Sequence, residues 1–536
     1  MSTRTSIDRR DLVKLGGLVS AAALTAGAAQ ALASEKASAA SDSATSAGVT
    51  ATSDAPWLPA SWDYEADVIV VGCGGAGLCA LIEARDQGMS AIGIEHMSIT
   101  GGNSRICNGG MDLPGSPLQK EQGIEDSADI FYEDLINNLG DDVNEPMMRL
   151  YADLSAELYD WLTGLGMEFL QGEVRATNGT SRPREHFIAP SSGIDFFEQQ
   201  ALERGAEIHL ETKCVSIIQD PITKRVLGIQ ATGPEGETLY YKAKRGLVMS
   251  SGGYAMNVDM MNEYVMGKGA ENLLHSGHVG DDGTGMLACM ELGVATRHIS
   301  YIGLLCTSHP EGFGVHGCAM YHMGAILVNQ EGERFVDESR GYTNIWPDVL
   351  QQTDQVCYCI YDQAIADENS NNNSSYYDHQ KNVDSGLLIE AQTIEELAEK
   401  IGCDAATLQA TLDQYNGDVE ATGVDSVFGR DHRITESGDL ITIAQAPFYA
   451  WKTAISVACT QGGLKKDLTC QALDVKGNVV PGLFLAGNIS HYSEQGITAG
   501  TRQSHDASGT GFGGALAFGR YVSQQIAQLM EPWDEA

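Results

Sequence analysis

Apolar and polar positions along the chain change period several times, and each change predicts an element. Asp67-Val68-Ile69-Val70-Val71 is a β-branched run ending in glycine, the pattern of a strand covered on both faces. Leu78 to Gln87 then carries Leu78, Leu81, Ile82 and Ala84 at helical spacing, and Ser90 to Ile94 returns to a short apolar run. Strand, helix and strand in that order predict an α/β fold with a parallel sheet. Further on, Thr393 to Ile401 and Ala405 to Tyr415 show helical apolar spacing with acidic starts. Asp367 to Gln380, with its Asn371-Asn372-Asn373-Ser374-Ser375 run, predicts an exposed loop.

The N-terminus follows a different pattern. Leu15 to Leu32 is only mildly apolar, interrupted by Gly16, Gly17, Ser20, Thr25, Gly27 and Gln30, so it is a poor spanning helix. Arg9-Arg10 precedes it, and Ala31-Leu32-Ala33 has the small-x-small form of a cleavage site. The order resembles a twin-arginine export signal over residues 1–33, with Ser34 as the mature start. Residues 34–61 begin with a Ser/Ala/Thr-rich stretch and are expected to be a flexible linker.

Composition narrows the function classes. The chain of 536 residues has room for more than one core. Its net charge of −39 repels phosphate backbones, which argues against a nucleic-acid partner. Glycine, at 61 residues, is in excess without collagen-like periodicity, as expected where backbone must approach a cofactor. The twelve cysteines include no C-x-x-C, so neither a haem attachment motif nor a standard zinc or iron–sulfur spacing is present. Cys306, His309, His316, Cys318 and His322 cluster in sequence, but their spacing matches no metal template, and no metal is expected.

The first predicted strand runs into Gly72-Cys73-Gly74-Gly75-Ala76-Gly77, and a helix follows. In that context the glycines let the backbone approach a pyrophosphate at a helix N-terminus. Glu95, at the end of the next strand, is placed to accept hydrogen bonds from ribose hydroxyls. The fingerprint itself leaves NAD and FAD open.

Five later motifs, in order, resemble the fumarate reductase/succinate dehydrogenase flavoprotein family. They are Thr100-Gly101-Gly102-Asn103-Ser104 with Asn108-Gly109-Gly110-Met111; Leu247 to Tyr254; Gly280-Asp281-Asp282-Gly283-Thr284-Gly285; Gly324 to Asn329 with Gly332-Glu333-Arg334-Phe335; and Pro481 to Asn488. The resemblance covers Asp67 to about Gln528. It implies a Rossmann-like FAD-binding domain in two pieces, 62–304 and 456–533, with a cap (substrate) domain at 305–455 inserted between them. It also implies FAD contacts at Gly72, Gly74, Ala76, Gly77, Glu95, Gly102, Asn103, Ser104, Gly109, Gly110, Val215, Gly253, Asp281, Asn488 and Phe512. Relatives with covalent FAD carry histidine where Asn103 stands here, so the FAD is expected to be noncovalent.

At the substrate end the residues depart from the fumarate-reducing members. The positions of a donor arginine, a motif histidine and a clamping arginine fall on Tyr321, Cys459 and Asp506, and only His309 keeps its identity. A carboxylate facing Asp506 would be repelled, with Arg502 four residues earlier as a replacement cation. Asp506-Ala507-Ser508-Gly509, then Gly513-Gly514-Ala515 and Phe518-Gly519-Arg520, resemble the 3-ketosteroid dehydrogenases instead. That resemblance implies proton exchange by Tyr321, tuned by His309 or His322, with Ser508 and the N–H of Gly509 polarising a ketone. Asp506 is left as base, hydrogen-bond acceptor or helix cap.

The expected activity is hydride and proton exchange across a C–C bond activated by a carbonyl, as an enone or ketosteroid-like reductase or dehydrogenase. The alternatives are a reductase of an unsaturated carboxylate and a non-catalytic flavin-binding protein. An extracytoplasmic location, reached through the twin-arginine export machinery, calls for a separate redox partner such as a cytochrome c or a membrane quinol oxidase.

Overall fold

A parallel sheet forms around the strand Tyr64–Val71 because its inner residues, Val68 to Val71, are apolar on both faces and buried. In the computed structural model, described residues are 57–139, 143–170, 174–176, 180–311, 318–341, 344–370, 378–434, 438–490, 496–498, 504–505 and 510–533. Contacts divide the chain into Met1–Trp62 and Asp63–Ala536, and the architecture below is that of the second unit. The expected export signal and most of the linker lie outside the described residues.

The first sheet has eight strands. Along its main path Gln471–Leu473, Val479–Leu485, Thr238–Met249, Tyr64–Val71, Ala91–Ile94 and Glu207–His209 are neighbours in that order. All pairings are parallel except the first, and the hairpin Lys213–Gln219/Val226–Thr232 attaches to Thr238–Met249. On one face pack the helices Gly75–Asp86 and Thr510–Leu529, which approach so closely that a Cβ on Gly519 would stand 2.7 Å from Cα of Ala76.

The second eight-stranded sheet is built on Phe448–Thr460. This long strand pairs with Tyr301–Ser308 on one side and Val356–Asp362 on the other, and Ile326–Val328 pairs with Val356–Asp362. Both expected domain boundaries, 304/305 and 455/456, fall inside these strands. The chain therefore crosses between the two pieces along hydrogen-bonded backbone, Leu304 opposite Val457 and Leu305 opposite Ser456. The helices expected near 393–415 are Ile394–Ile401, capped by Thr393, and Ala405–Thr422, which runs on past Gly417 to a left-handed stop at Gly423. The expected loop at 367–380 is bounded by the helices Gln363–Glu368 and His379–Asp384, with residues 371–377 outside the description.

Candidate active site

The turn after Tyr64–Val71 shapes one end of a cleft. Gly72 has φ +93°, and a Cβ there would lie 2.6 Å from Cα of Ser251, so only glycine fits. Gly77 packs against the carbonyl of Gly72 with no room for a side chain. Gly74 caps the helix Gly75–Asp86 without any side-chain cap, so the helix N-terminus opens into the cleft, where a diphosphate fits the N–H groups and the dipole. Nearby, the N–H of Gly75 donates to Oγ of Ser104 at 3.2 Å.

Glu95 is buried and accepts from the N–H of Cys73 and of Met97, each at 3.0 Å, while His96 Nδ1 stands 3.2 Å from it. Burial opposes its charge, but the hydrogen bonds from His96, Met97 and Cys73 prevail and hold the carboxyl below its ordinary range. Further along, Oδ1 of Asn103 accepts from the N–H of His278 at 2.6 Å. Asp281 accepts from the N–H of Gly253, and its Oδ2 is buried without a hydrogen-bond partner among the described residues. Burial pushes Asp281 up to about 6. An acceptor left unsatisfied inside a cleft fits a ligand that brings hydroxyl donors.

The cleft has a volume of about 300 Å³. Of the expected cofactor residues, Gly72, Gly74, Ala76, Glu95, Gly102 and Asn103 line it, as do Ser104, Gly110, Asp281, Asn488 and Phe512. Gly77, Gly109, Val215 and Gly253 do not. Gly77, Gly109 and Gly253 serve close backbone packing behind the wall, and Val215 is half exposed beside the lining residues Lys213 and Cys214. The structure adds Thr212, Lys213, Ser276, His278 and Gln461, which the motifs did not single out. Ser276 and His278 directly precede the Gly280-Asp281-Asp282-Gly283 turn, and that adjacency is the signal that marks them. Glycines at a helix N-terminus, an acid at the neighbouring strand end and an unsatisfied buried acceptor together fit a dinucleotide.

Of the expected catalytic residues, Tyr321 and His309 are among the described residues, and neither lines the cleft. Tyr321 lies in the 3₁₀ turn Met320–Met323, fully buried in the apolar core of the second sheet. Its hydroxyl donates to the carbonyl of Cys306 at 2.8 Å, and its ring packs edge-on to His322. His322 is also buried, and burial together with Arg430 pushes it down to about 3, leaving no imidazolium to act on the tyrosine. His309 is buried, edge-on to Trp451, with Nδ1 accepting from the N–H of Glu311 at 3.1 Å. Cys459 does line the cleft, and burial pushes its thiol up to about 12, which makes it a neutral S–H rather than a nucleophile.

Arg502, Asp506, Ser508, Gly509 and His316 lie outside the described residues. Among the described residues no three metal-ligating side chains gather to hold a metal ion. Cys306 and Cys318 are buried thiols of the second-sheet core. No helix among the described residues is long and apolar enough to cross a membrane.

The turn after Gly324 is fastened by buried charges. Arg334 pairs with Glu338 at 2.6 Å and Asp425 at 2.8 Å, while Arg430 reaches Glu338 at 3.3 Å and donates to the carbonyl of Tyr321 at 2.7 Å. Because these groups are out of water, each holds its partner in place.

Comparison with known proteins gives the same outline. The FAD binding domain family (FAD_binding_2) matches residues 67–503. A probable fumarate reductase, Ifc3, of Shewanella frigidimarina is 28% identical over 86% of this chain and 74% of its own. A digoxin reductase of Eggerthella lenta is 26% identical over 98% of both. Among solved structures, the open conformation of a flavocytochrome c3 fumarate reductase superposes with TM-score 0.71 and 26% identity, covering 88% of this chain and 79% of that one. The 3-ketosteroid-Δ4-(5α)-dehydrogenase of Rhodococcus jostii RHA1, in complex with 4-androstene-3,17-dione, gives 0.67 and 25%, covering 87% and 98%. This chain belongs to the FAD binding domain family, among the fumarate reductase/succinate dehydrogenase flavoproteins, and is an FAD-dependent oxidoreductase acting on CH–CH groups.

Proposed function

We propose that this chain reduces a carbon–carbon double bond conjugated to a neutral carbonyl, an enone of ketosteroid-like type, with dehydrogenation as the reverse direction. When bound, FAD supplies hydride exchange at one carbon of that bond. The protein holds the cofactor, orients the carbonyl and exchanges the proton at the neighbouring carbon.

The observation that carries this reading is the charge of the cleft wall. Among the described lining residues Lys213 is the only lysine or arginine, and its ammonium is committed to Asp282 at 3.0 Å. Asn108, Ser276 and Gln461 offer neutral hydrogen bonds instead. A carbonyl needs one or two such donors, whereas a dicarboxylate needs cations. A relative that matches along nearly the whole chain is named for digoxin, and a solved dehydrogenase for ketosteroids. The second reading, an unsaturated carboxylate, draws on relatives named for fumarate and urocanate and needs Arg502 as its cation.

In the first reading the Asn103, Asn488 and Phe512 walls hold the flavin noncovalently, with its diphosphate at Gly74 and its ribose at Glu95. Ser508 and the N–H of Gly509 polarise the carbonyl, and Asp506 stands beside them in the chain. Arg9-Arg10 supports export by the twin-arginine route and work outside the cytoplasm, with electrons from a separate cytochrome c or membrane quinol oxidase. The test is steady-state turnover with a reduced-viologen donor. Neutral enones are expected to be reduced in preference to fumarate, acrylate and urocanate; turnover of the carboxylates alone would refute the proposal.

A further inference from the structure

Against the same cleft lies a pair of carboxyls that no step above uses. The antiparallel strands Gly110–Asp112 and Glu185–Phe187 set Asp112 directly opposite Glu185, which brings both side chains to one face of the ribbon. Asp112 is 0% and Glu185 5% exposed. Among the described residues neither carboxyl oxygen of Asp112 has a hydrogen-bond partner, and Oε1 of Glu185 has none. The Glu185 carboxyl covers Gly110, where an added Cβ would stand 2.7 Å from Cδ, and Gly110 is part of the cleft wall. From the other side Gly513 packs on Met111 and on the backbone N of Asp112, with its Cβ position 3.4 and 3.6 Å away. Gly511 and Phe512, in the first turn of that helix, also line the cleft. The strand Gly110–Asp112 therefore runs from the cleft wall at Gly110 to the carboxyl pair.

Two facing carboxyls out of water cannot both ionise cheaply, so such a pair holds a proton and binds another according to the field around it. The neighbours leave that freedom in place. Arg184, which acts on Asp112, is taken up by Asp126 at 2.9 Å and Asp134 at 2.5 Å, giving two anions for one cation. Arg175 acts on Glu185 and opposes its protonation. Cys107, on the cleft side, is a neutral thiol pushed up to about 12 by burial. His186 is pushed down to about 4 by burial, its ring nitrogens held by Ser116 Oγ at 2.8 Å and the Arg184 carbonyl at 2.7 Å. Burial pushes Asp112 well above the ordinary carboxylate range and Glu185 up to about 7.

We infer that Asp112 and Glu185 form a proton-loading pair coupled to the flavin: it takes one proton from water when the bound FAD is reduced and returns it when the FAD is reoxidised. Added negative charge in a low-dielectric cleft raises the proton affinity of carboxyls beside it. The balance closes with a low-potential electron donor. Two electrons and two protons enter, one proton staying with the anionic reduced flavin and the other on the pair. When hydride leaves for the substrate, the pair releases its proton to water. This goes beyond the proposed substrate class, because the loading needs no substrate.

The test is electrochemical reduction of the FAD-loaded protein, read by reduced-minus-oxidised infrared spectroscopy and by an indicator dye that counts protons, about one pH unit above the value of about 7 to which burial pushes Glu185. The wild type is expected to take up two protons per flavin reduced and to gain a protonated-carboxyl C=O band. Glu185→Gln is expected to take up one and to lose the band, whereas Asp112→Asn, which mimics the protonated partner, keeps Glu185 as the loading carboxyl and retains the band, with the flavin still bleaching on reduction in both. One proton and no band in the wild type, or a band that survives in Glu185→Gln, would overturn the inference. Should neither variant retain FAD, the wild-type spectrum decides, since absence of the band is by itself contradictory. An inactive panel of enones would leave these readouts unaffected, so failure of the substrate reading is distinguishable.

Discussion

The backbone N–H of Cys73 donates to Oε2 of Glu95 at 3.0 Å, tying the glycine turn after one strand to the acid at the end of the next. Because Glu95 also receives the Met97 N–H, its carboxylate is aimed by the backbone before any ligand arrives. Glu95→Ala leaves both donors unmatched and removes the ribose acceptor. A charged hydrogen-bond set of this kind is worth about 1.5–3 kcal/mol, so FAD affinity should fall by roughly 10- to 100-fold. Fluorescence titration of the apoprotein with FAD measures this, and an unchanged Kd would detach Glu95 from the cofactor.

Gly72→Ala tests the turn itself. With φ at +93° and Ser251 Cα 2.6 Å from the new Cβ, the variant combines about 1–2 kcal/mol of left-handed strain with a backbone clash. Both the FAD content of the purified protein and its Tm should drop. Full FAD occupancy with an unaltered Tm would show that the turn has another conformation available.

Tyr321→Phe separates the proton role implied by resemblance from the placement seen in the fold. The hydroxyl is spent on the Cys306 carbonyl inside an apolar core. Removing it should cost about 1 kcal/mol of stability through an unpaired buried carbonyl and leave turnover close to wild type. A loss of turnover by orders of magnitude with stability intact would return Tyr321 to the chemistry.

Glu185 gives the stability a pH dependence of definite sign. Burial, opposed by Arg175, raises its pKa from 4.5 to about 7, so between those values the folded chain holds a proton that the unfolded chain has released. Stability from this group is present below 4.5 and is lost as pH rises toward 7, on the order of 3 kcal/mol in all. Thermal melts across that range should show a downward slope that Glu185→Gln flattens. An equal slope in both proteins would assign the effect to other groups.

What the sequence made legible was local. The strand, glycine turn, helix and acid lie within about thirty residues, and each is dictated by backbone sterics and hydrogen bonding near its own position, so Gly72, Gly74, Ala76 and Glu95 all line the cleft. Contacts decided by long-range packing were not legible. Tyr321 sits at a motif-aligned position, yet its ring direction is set by a 3₁₀ turn packed into the second sheet and by Arg430, more than a hundred residues away, holding its carbonyl. The Asp112–Glu185 pair joins residues 73 positions apart through a ladder of only three residues on each strand, too short to leave a period in the sequence. The boundaries at 304/305 and 455/456, which the family resemblance implies, fall within two strands that pair with each other across them.

The most direct test of the central claim is a single-turnover experiment. The FAD-loaded protein is reduced anaerobically to its end point, freed of donor, and mixed in a stopped-flow instrument with a neutral ketosteroid enone or with fumarate, while flavin absorbance is followed. Rapid return of the oxidised flavin spectrum with the enone, stoichiometric saturation of its double bond, and little or no return with fumarate are predicted. Reoxidation by fumarate while the neutral enones leave the flavin reduced would contradict the account.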